Sequence, residues 1–190
     1  MITLEARRGQ AADEDGWAAA GLSRSGLSRF FGEAQRAVGL AGTVEVLLAD
    51  DRTLRRLNRD FRGKDKATDV LSFPAAEEFA GEHAGDLAIS LDTAARQARE
   101  HGHSSRDEVR VLLLHGLLHL SGMDHETDRG EMAAREAELR DRLHLKSGLI
   151  TRVEKKNSHS KGAKERRQGR DGSHASSKKT VGRAKKKVKA

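Results

Sequence analysis

Cysteine is absent from this chain of 190 residues. Without thiols no disulfide framework can form, and any metal site must be built from nitrogen and oxygen ligands. The first 16 residues lack the apolar core of a signal peptide. The longest apolar run, residues 111–120, is too short to span a bilayer. We therefore expect a soluble, cytoplasmic protein that does not enter a membrane.

Aromatic residues are also scarce, and residues 151–190 contain none. This stretch carries 15 Lys or Arg against three acids, whereas the first 150 residues carry 21 against 26. Such a segment cannot bury enough apolar surface to offset the entropy of ordering it. We predict one domain over residues 1–150 and a disordered basic tail over residues 151–190. The tail is either a solubilising extension or a loose, sequence-independent attachment to RNA, DNA or a ribosome, and its charge favours the second.

The pattern of apolar residues predicts an α+β fold, a small mixed β-sheet covered by about five helices. The single proline, Pro74, closes one of the predicted strands. Strands are predicted near residues 2–4, 43–49, 70–73 and 85–90. Helices are predicted near residues 25–38, 51–61, 92–101, 105–120 and 129–145.

Local signals set several of the predicted helix boundaries. Asp50 or Asp51 is expected to cap the second helix, whose apolar stripe is Leu54, Leu57 and Phe61. Ser105 and Glu108 have the spacing of a capping box at the start of the fourth helix. That helix is apolar on nearly every face, which is typical of a helix at the centre of a domain.

Two histidines lie within this central helix. His115 and His119 are four residues apart and therefore project from the same face. Gly122 is expected to end the helix, which lets the chain turn back and bring in His125 as a third ligand. Three buried imidazoles without partners would cost about 1–3 kcal/mol each, and a metal ion satisfies all three. The pattern predicts one Zn²⁺ per chain with an open fourth position, against the alternative of neutral core histidines bonded to backbone.

Two neighbours of the histidines bear on the chemistry. The spacing is that of the metzincin zinc proteases, but Gly116 stands where those enzymes place a catalytic glutamate, which argues against a protease. Gly116 either lets substrate approach closely or permits tight helix packing. Asp124 is a candidate catalytic base, and a role as turn cap or as partner of a ligating histidine is equally open.

A second cluster of charged residues lies before the third strand. Arg62, Lys64 and Lys66 are predicted on a loop in an otherwise acidic body. Three cations close together form either a solvated surface or a phosphate-binding site. We interpret Arg62, Lys64 and Lys66 as a candidate phosphate-binding site.

Three stretches together carry a resemblance to a known family. "LNRDFRGKDKATDVLSFP", "GDLAIS" and "HGLLHLSGMDH" resemble the signature stretches of the YbeY family of bacterial endoribonucleases and rRNA maturation factors, over about residues 43–145. The resemblance implies a zinc-dependent hydrolase of single-stranded RNA that matures the 3′ end of small-subunit rRNA and serves ribosome quality control. It also implies that His115, His119 and His125 bind zinc and that Arg62 is functionally important. Given this resemblance, we expect Arg62 to stabilise charge on phosphate during catalysis and Lys64 and Lys66 to bind RNA.

Alternatives to this function stay open, and the basic tail departs from the compact family pattern. The first alternative is an RNA-binding factor of ribosome biogenesis with a mainly structural zinc. The second is a metal-dependent hydrolase of another substrate. Attack by a water molecule and attack by a ribose 2′-hydroxyl are both compatible with these residues.

Overall fold

The computed structural model of this chain describes residues 1–4, 18, 20–79 and 81–145. Within them, four strands and five helices follow one another, with a short 3₁₀ turn at Glu77–Phe79. Their bounds are β1 Ile2–Leu4, α1 Arg24–Val38, β2 Thr43–Ala49, α2 Asp51–Arg62, β3 Val70–Pro74, β4 His83–Ser90, α3 Leu91–His101, α4 Ser105–Leu120 and α5 Glu131–Arg142. The predicted basic tail, residues 151–190, lies outside the described residues.

The strands form one mixed sheet in the order β1-β2-β4-β3. β1, β2 and β4 run parallel, and β3 pairs antiparallel with β4 at the edge. Val46 pairs with Leu87, and Val70 pairs with Ile89. The parallel neighbours require crossover connections, which α1 and α2 help to provide. The predicted α+β class with a small mixed sheet is confirmed.

Alternate residues of β2, β3 and β4 face two separate layers. Val46, Leu87 and Ile89 belong to the main core, which α1, α4 and α5 complete. Leu71 and Phe73 face the other way and pack with Leu54 of α2. Helix α4 contains Leu112, Leu113 and Leu114, all fully buried, so it is the central helix that its composition predicts. None of the described helices has the length and apolar character that a membrane crossing requires.

Short-range capping explains most helix boundaries. Gly39 ends α1 in the left-handed conformation with φ 81°. Asp50 caps α2 by accepting a 2.8 Å hydrogen bond from the Thr53 backbone N–H.

Two sequence-based predictions about side chains are wrong. Ser104, one residue before the predicted cap, starts α4 by accepting from the Asp107 backbone N–H. Glu108 is instead fully buried and contacts His103 at 2.6 Å. In α2 the buried stripe ends before Phe61, which is 44% exposed and meets Phe73 edge-on, with 5.0 Å between ring centroids.

Candidate metal centre

The last two turns of α4 present two imidazoles to each other. His119 is fully buried, and His115 is partly buried. Their Nε2 atoms lie 3.2 Å apart, and their rings meet edge to face with 4.7 Å between centroids. The helical spacing of four residues therefore brings the two nitrogens together as predicted.

The third histidine arrives through a reversal of the chain. Helix α4 ends at Leu120, and Gly122 adopts a left-handed conformation with φ 95°. The Met123 backbone N–H then bonds to the Leu118 carbonyl, which turns the chain back. The His125 ring reaches 5.4 Å from His115 and 5.2 Å from His119, measured between centroids. One ligand nitrogen from each of the three lies within 4.8 Å of the others, a group that could hold a metal ion.

Hydrogen bonds on the far side of two rings determine which nitrogens face the centre. The Nδ1 of His115 lies 3.0 Å from a carboxylate oxygen of Glu136, and the Nδ1 of His119 lies 3.0 Å from the Met123 carbonyl. Both partners are acceptors, so each Nδ1 carries the proton. In neutral rings both Nε2 atoms then present lone pairs to each other at 3.2 Å.

A cation relieves that opposition, and the spacing suits zinc. Two nitrogens bound tetrahedrally to one zinc at about 2.0–2.1 Å are about 3.3 Å apart. The observed separation is 3.2 Å. Two of the three imidazole nitrogens thus have a separation compatible with zinc, and the three together form a group that could hold a metal ion.

Burial keeps the innermost imidazole neutral. It is the main cause that lowers the pKa of His119 to about 4, and the charges of His115 and His125 lower it further. The bond to Met123 and the charge of Asp124 oppose this but do not outweigh it. His119 is accordingly unprotonated near pH 7, which is the form that binds metal.

An acidic residue of α5 completes the surroundings of His115. Glu136 is 8% exposed, and its two carboxylate oxygens contact His115 and Arg140. Burial raises the pKa of Glu136, but the bond to His115 and the charges of His115 and Arg140 outweigh it and lower the pKa to about 2. The histidine spacing gives no sign of Glu136. The sequence feature that indicates the burial of Glu136 is its position in the apolar stripe of α5, four residues after Met132.

Gly116 faces the sheet rather than the histidine cluster. A Cβ atom at this position would lie 2.7 Å from Leu87 Cδ2 and 3.4 Å from Val70 Cγ2. Glycine thus lets α4 approach β3 and β4 closely, and the tight-packing interpretation is the correct one. The alternative, close approach of substrate at Gly116, is wrong because those side chains already fill the space.

Asp124 directly precedes His125, and its carboxylate holds the turn that follows α4. Its carboxylate accepts a 3.1 Å bond from the Glu126 backbone N–H. Asp128, further along the same loop, accepts from the N–H groups of Gly130 and Met132, and these bonds lower its pKa. Asp124 therefore has the predicted turn-capping geometry, and its role as a base stays a prediction.

The basic cluster departs from its predicted location in one respect. Arg62 is the last residue of α2 rather than part of a loop, and Gly63 ends that helix with φ 70°. Lys64 and Lys66 do lie on the loop, which folds back along α2. Asp65 holds it there with two 2.8 Å bonds from Arg55.

α2 and α4 cover opposite faces of the sheet but reach the same end of it. Phe61, beside Arg62, contacts Phe73 near the end of β3. Leu120, at the end of α4, lies against Gly85 of β4. Gly85 pairs with Pro74, the residue that follows Phe73 in β3. Arg62 and the C-terminal end of the histidine-bearing helix are thus both near the Pro74 end of the sheet.

Comparison with known proteins finds a matching family model and named relatives. A family model described as Endoribonuclease YbeY matches residues 23–144. A protein of Koribacter versatilis named Endoribonuclease YbeY is 57% identical over 136 residues, covering 72% of this chain and 88% of that protein. A protein of Solibacter usitatus with the same name is 51% identical over 137 residues, covering 72% of this chain and 90% of that protein. A solution structure from Thermotoga maritima covers 88% of this chain and 100% of that chain with a TM-score of 0.48 and 23% identity.

Proposed function

Because this chain belongs to the YbeY family of endoribonucleases, we propose that it cleaves single-stranded RNA with one zinc ion held by His115, His119 and His125. The observation that carries the proposal is the pair of Nε2 lone pairs facing each other at 3.2 Å in a buried site. A bound zinc ion supplies a Lewis acid that acidifies water and stabilises charge on phosphoryl oxygens.

The chain's own residues have distinct parts in the proposed reaction. The Arg62 guanidinium offers a planar fork of donors for two phosphate oxygens, and it stabilises the charge that builds as the phosphodiester is attacked. Asp124 has a half-buried carboxylate beside His125 and accepts the proton from the attacking group. That group is either water or the neighbouring 2′-hydroxyl.

The distribution of charge supports RNA as the substrate. Residues 51–66 carry seven Lys or Arg and three Asp. The remainder of the first 150 residues carries 14 Lys or Arg and 23 Asp or Glu. Arg52, Arg56 and Arg59 are exposed and lie within about 60° around the axis of α2. Neither Arg52 nor Arg56 forms an ion pair with another described residue. A basic helix on an acidic body suits a polyanion, and Lys64 and Lys66 extend this surface.

The biological setting belongs to the same proposal. We place the cleavage in the maturation of the small-subunit rRNA 3′ end and in ribosome quality control, with ribosomal particles as partners in the cytoplasm. The sequence resemblance supports this setting. Attachment of the basic tail to RNA would keep the protein near such particles.

Cleavage of a labelled single-stranded RNA by highly purified protein tests the proposal. We expect wild type and His101→Ala to cleave and His119→Ala to be inactive, because only His119 belongs to the cluster. Equal cleavage by all three would point to a contaminating ribonuclease and contradict the proposal. RNA binding without cleavage by wild type would favour a ribosome-biogenesis factor with a structural zinc. Hydrolysis of another substrate alone would favour the other alternative.

A further inference from the structure

We infer that Glu136, held by Arg140, is a positioning residue of the metal centre that fixes the ring orientation and tautomer of His115. The inference rests on the proposed function, since it assigns a role towards the zinc that the three histidines would hold. It concerns α5, which lies within the residues that the family model matches but outside the three quoted signature stretches.

Glu136 reaches His115 from a separate helix. Its Oε2 lies 3.0 Å from the His115 Nδ1, across 21 residues of sequence. Side-chain exposure is only 15% for His115 and 10% for Glu136. The contact therefore takes place in a nearly dry environment, where a hydrogen bond to a carboxylate is strong and directional.

A carboxylate at this position needs an explanation. Glu136 lies in the stripe of α5 that buries Met132 and Leu139, where an apolar residue would pack without any desolvation cost. Glu138, two residues along the same helix, shows the ordinary alternative: it is 61% exposed and pairs with Arg135 at the surface. The buried location of Glu136 is accounted for by the acceptor that it offers to His115.

The acceptor has a direct consequence for metal binding. A neutral imidazole carries its proton on one nitrogen, and only the form protonated at Nδ1 leaves the Nε2 lone pair free for a metal. Glu136 stabilises that form and prevents the ring from rotating away. Such partners of ligating histidines also raise the basicity of the ligand.

Arg140 holds the carboxylate in place. It contacts the second carboxylate oxygen of Glu136 from one helical turn further along α5, and it is itself 6% exposed. The two oxygens of Glu136 are thus divided between one cation and one ligand. His115, Glu136 and Arg140 form a continuous buried chain of hydrogen bonds that ends at the metal centre.

Zinc affinity of the full-length protein, measured by competition with a chromophoric chelator, tests this role. We expect Glu136→Ala to bind zinc about 10–100-fold more weakly than wild type, the range typical of lost partners of metal ligands. Glu136→Gln keeps the size and one acceptor oxygen, so we expect an intermediate affinity. Glu138→Gln removes an acid from the same helix and should leave the affinity unchanged.

Two further readouts separate positioning from folding. Cobalt-substituted protein should show altered visible absorption bands in the Glu136 variants but not in Glu138→Gln. Circular dichroism of the metal-free proteins should show the same helix content in all variants. Zinc affinity within twofold of wild type in Glu136→Ala, with unchanged cobalt bands, would overturn the positioning role while leaving the proposed function standing. A wild-type protein that binds no zinc would overturn both.

Discussion

Replacing Gly116 with alanine tests how closely α4 must approach the sheet. The new methyl group would lie 2.7 Å from Leu87 Cδ2, and Leu87 is 1% exposed, so the leucine or α4 must shift within the core. Overpacking of this kind costs about 1–3 kcal/mol. Alanine recovers about 1 kcal/mol of helix propensity, so the net loss is about 0–2 kcal/mol.

Gly32 provides a matched control for this substitution. It lies within α1, and a Cβ atom there would meet nothing within 4 Å. We expect Gly32→Ala to gain about 1 kcal/mol, which separates the two variants by about 1–3 kcal/mol in urea unfolding. If Gly116→Ala were as stable as Gly32→Ala yet inactive, the packing explanation would be refuted. Close approach of substrate at Gly116 would then be the better explanation.

Three further predictions concern the cations. Arg62→Lys keeps the charge but loses the planar fork, so RNA cleavage should fall while zinc content and melting temperature stay unchanged. Arg29→Lys on α1 is the control and should cleave like wild type. Full activity of Arg62→Lys would show that Arg62 does not belong to the site. Changing Arg52 and Arg56 to Gln should weaken binding to single-stranded RNA and flatten the slope of log K against log salt by about 1.4 if each contacts one phosphate. The same change at Arg24 and Arg29 is the charge-matched control, and equal effects would contradict a specific role for α2. Deleting the basic tail should weaken binding to long RNA and flatten the slope of log K against log salt, but leave zinc content and cleavage of a short oligonucleotide intact. Unchanged affinity for long RNA would show that the tail is an inert extension.

Features that depend on nearby residues were predictable from sequence. The four-residue spacing of His115 and His119 sets their common face through the helical repeat alone. Asp50 and Gly39 set helix ends through contacts within one turn. The reversal at Gly122 follows from its position after an apolar helix, and it brings His125 back to the pair.

Features that depend on the neighbouring element were not predictable. Ser104 and Ser105 both suit a helix start, and the burial of Glu108 against His103 decides between them. Whether Phe61 is buried depends on where the sheet ends below α2. Glu136 was missed because its partner lies on another helix, and an acid in an amphipathic pattern ordinarily faces solvent.

Zinc content is the most direct test of the metal centre. Protein purified without chelators should contain about one zinc per chain by elemental analysis, and His119→Ala should lose it because His119 supplies a buried ligand with a free Nε2 lone pair. His101→Ala, outside the cluster, should retain the metal. Wild-type protein without bound metal, or a His119→Ala variant that still carries one zinc per chain, would contradict the account.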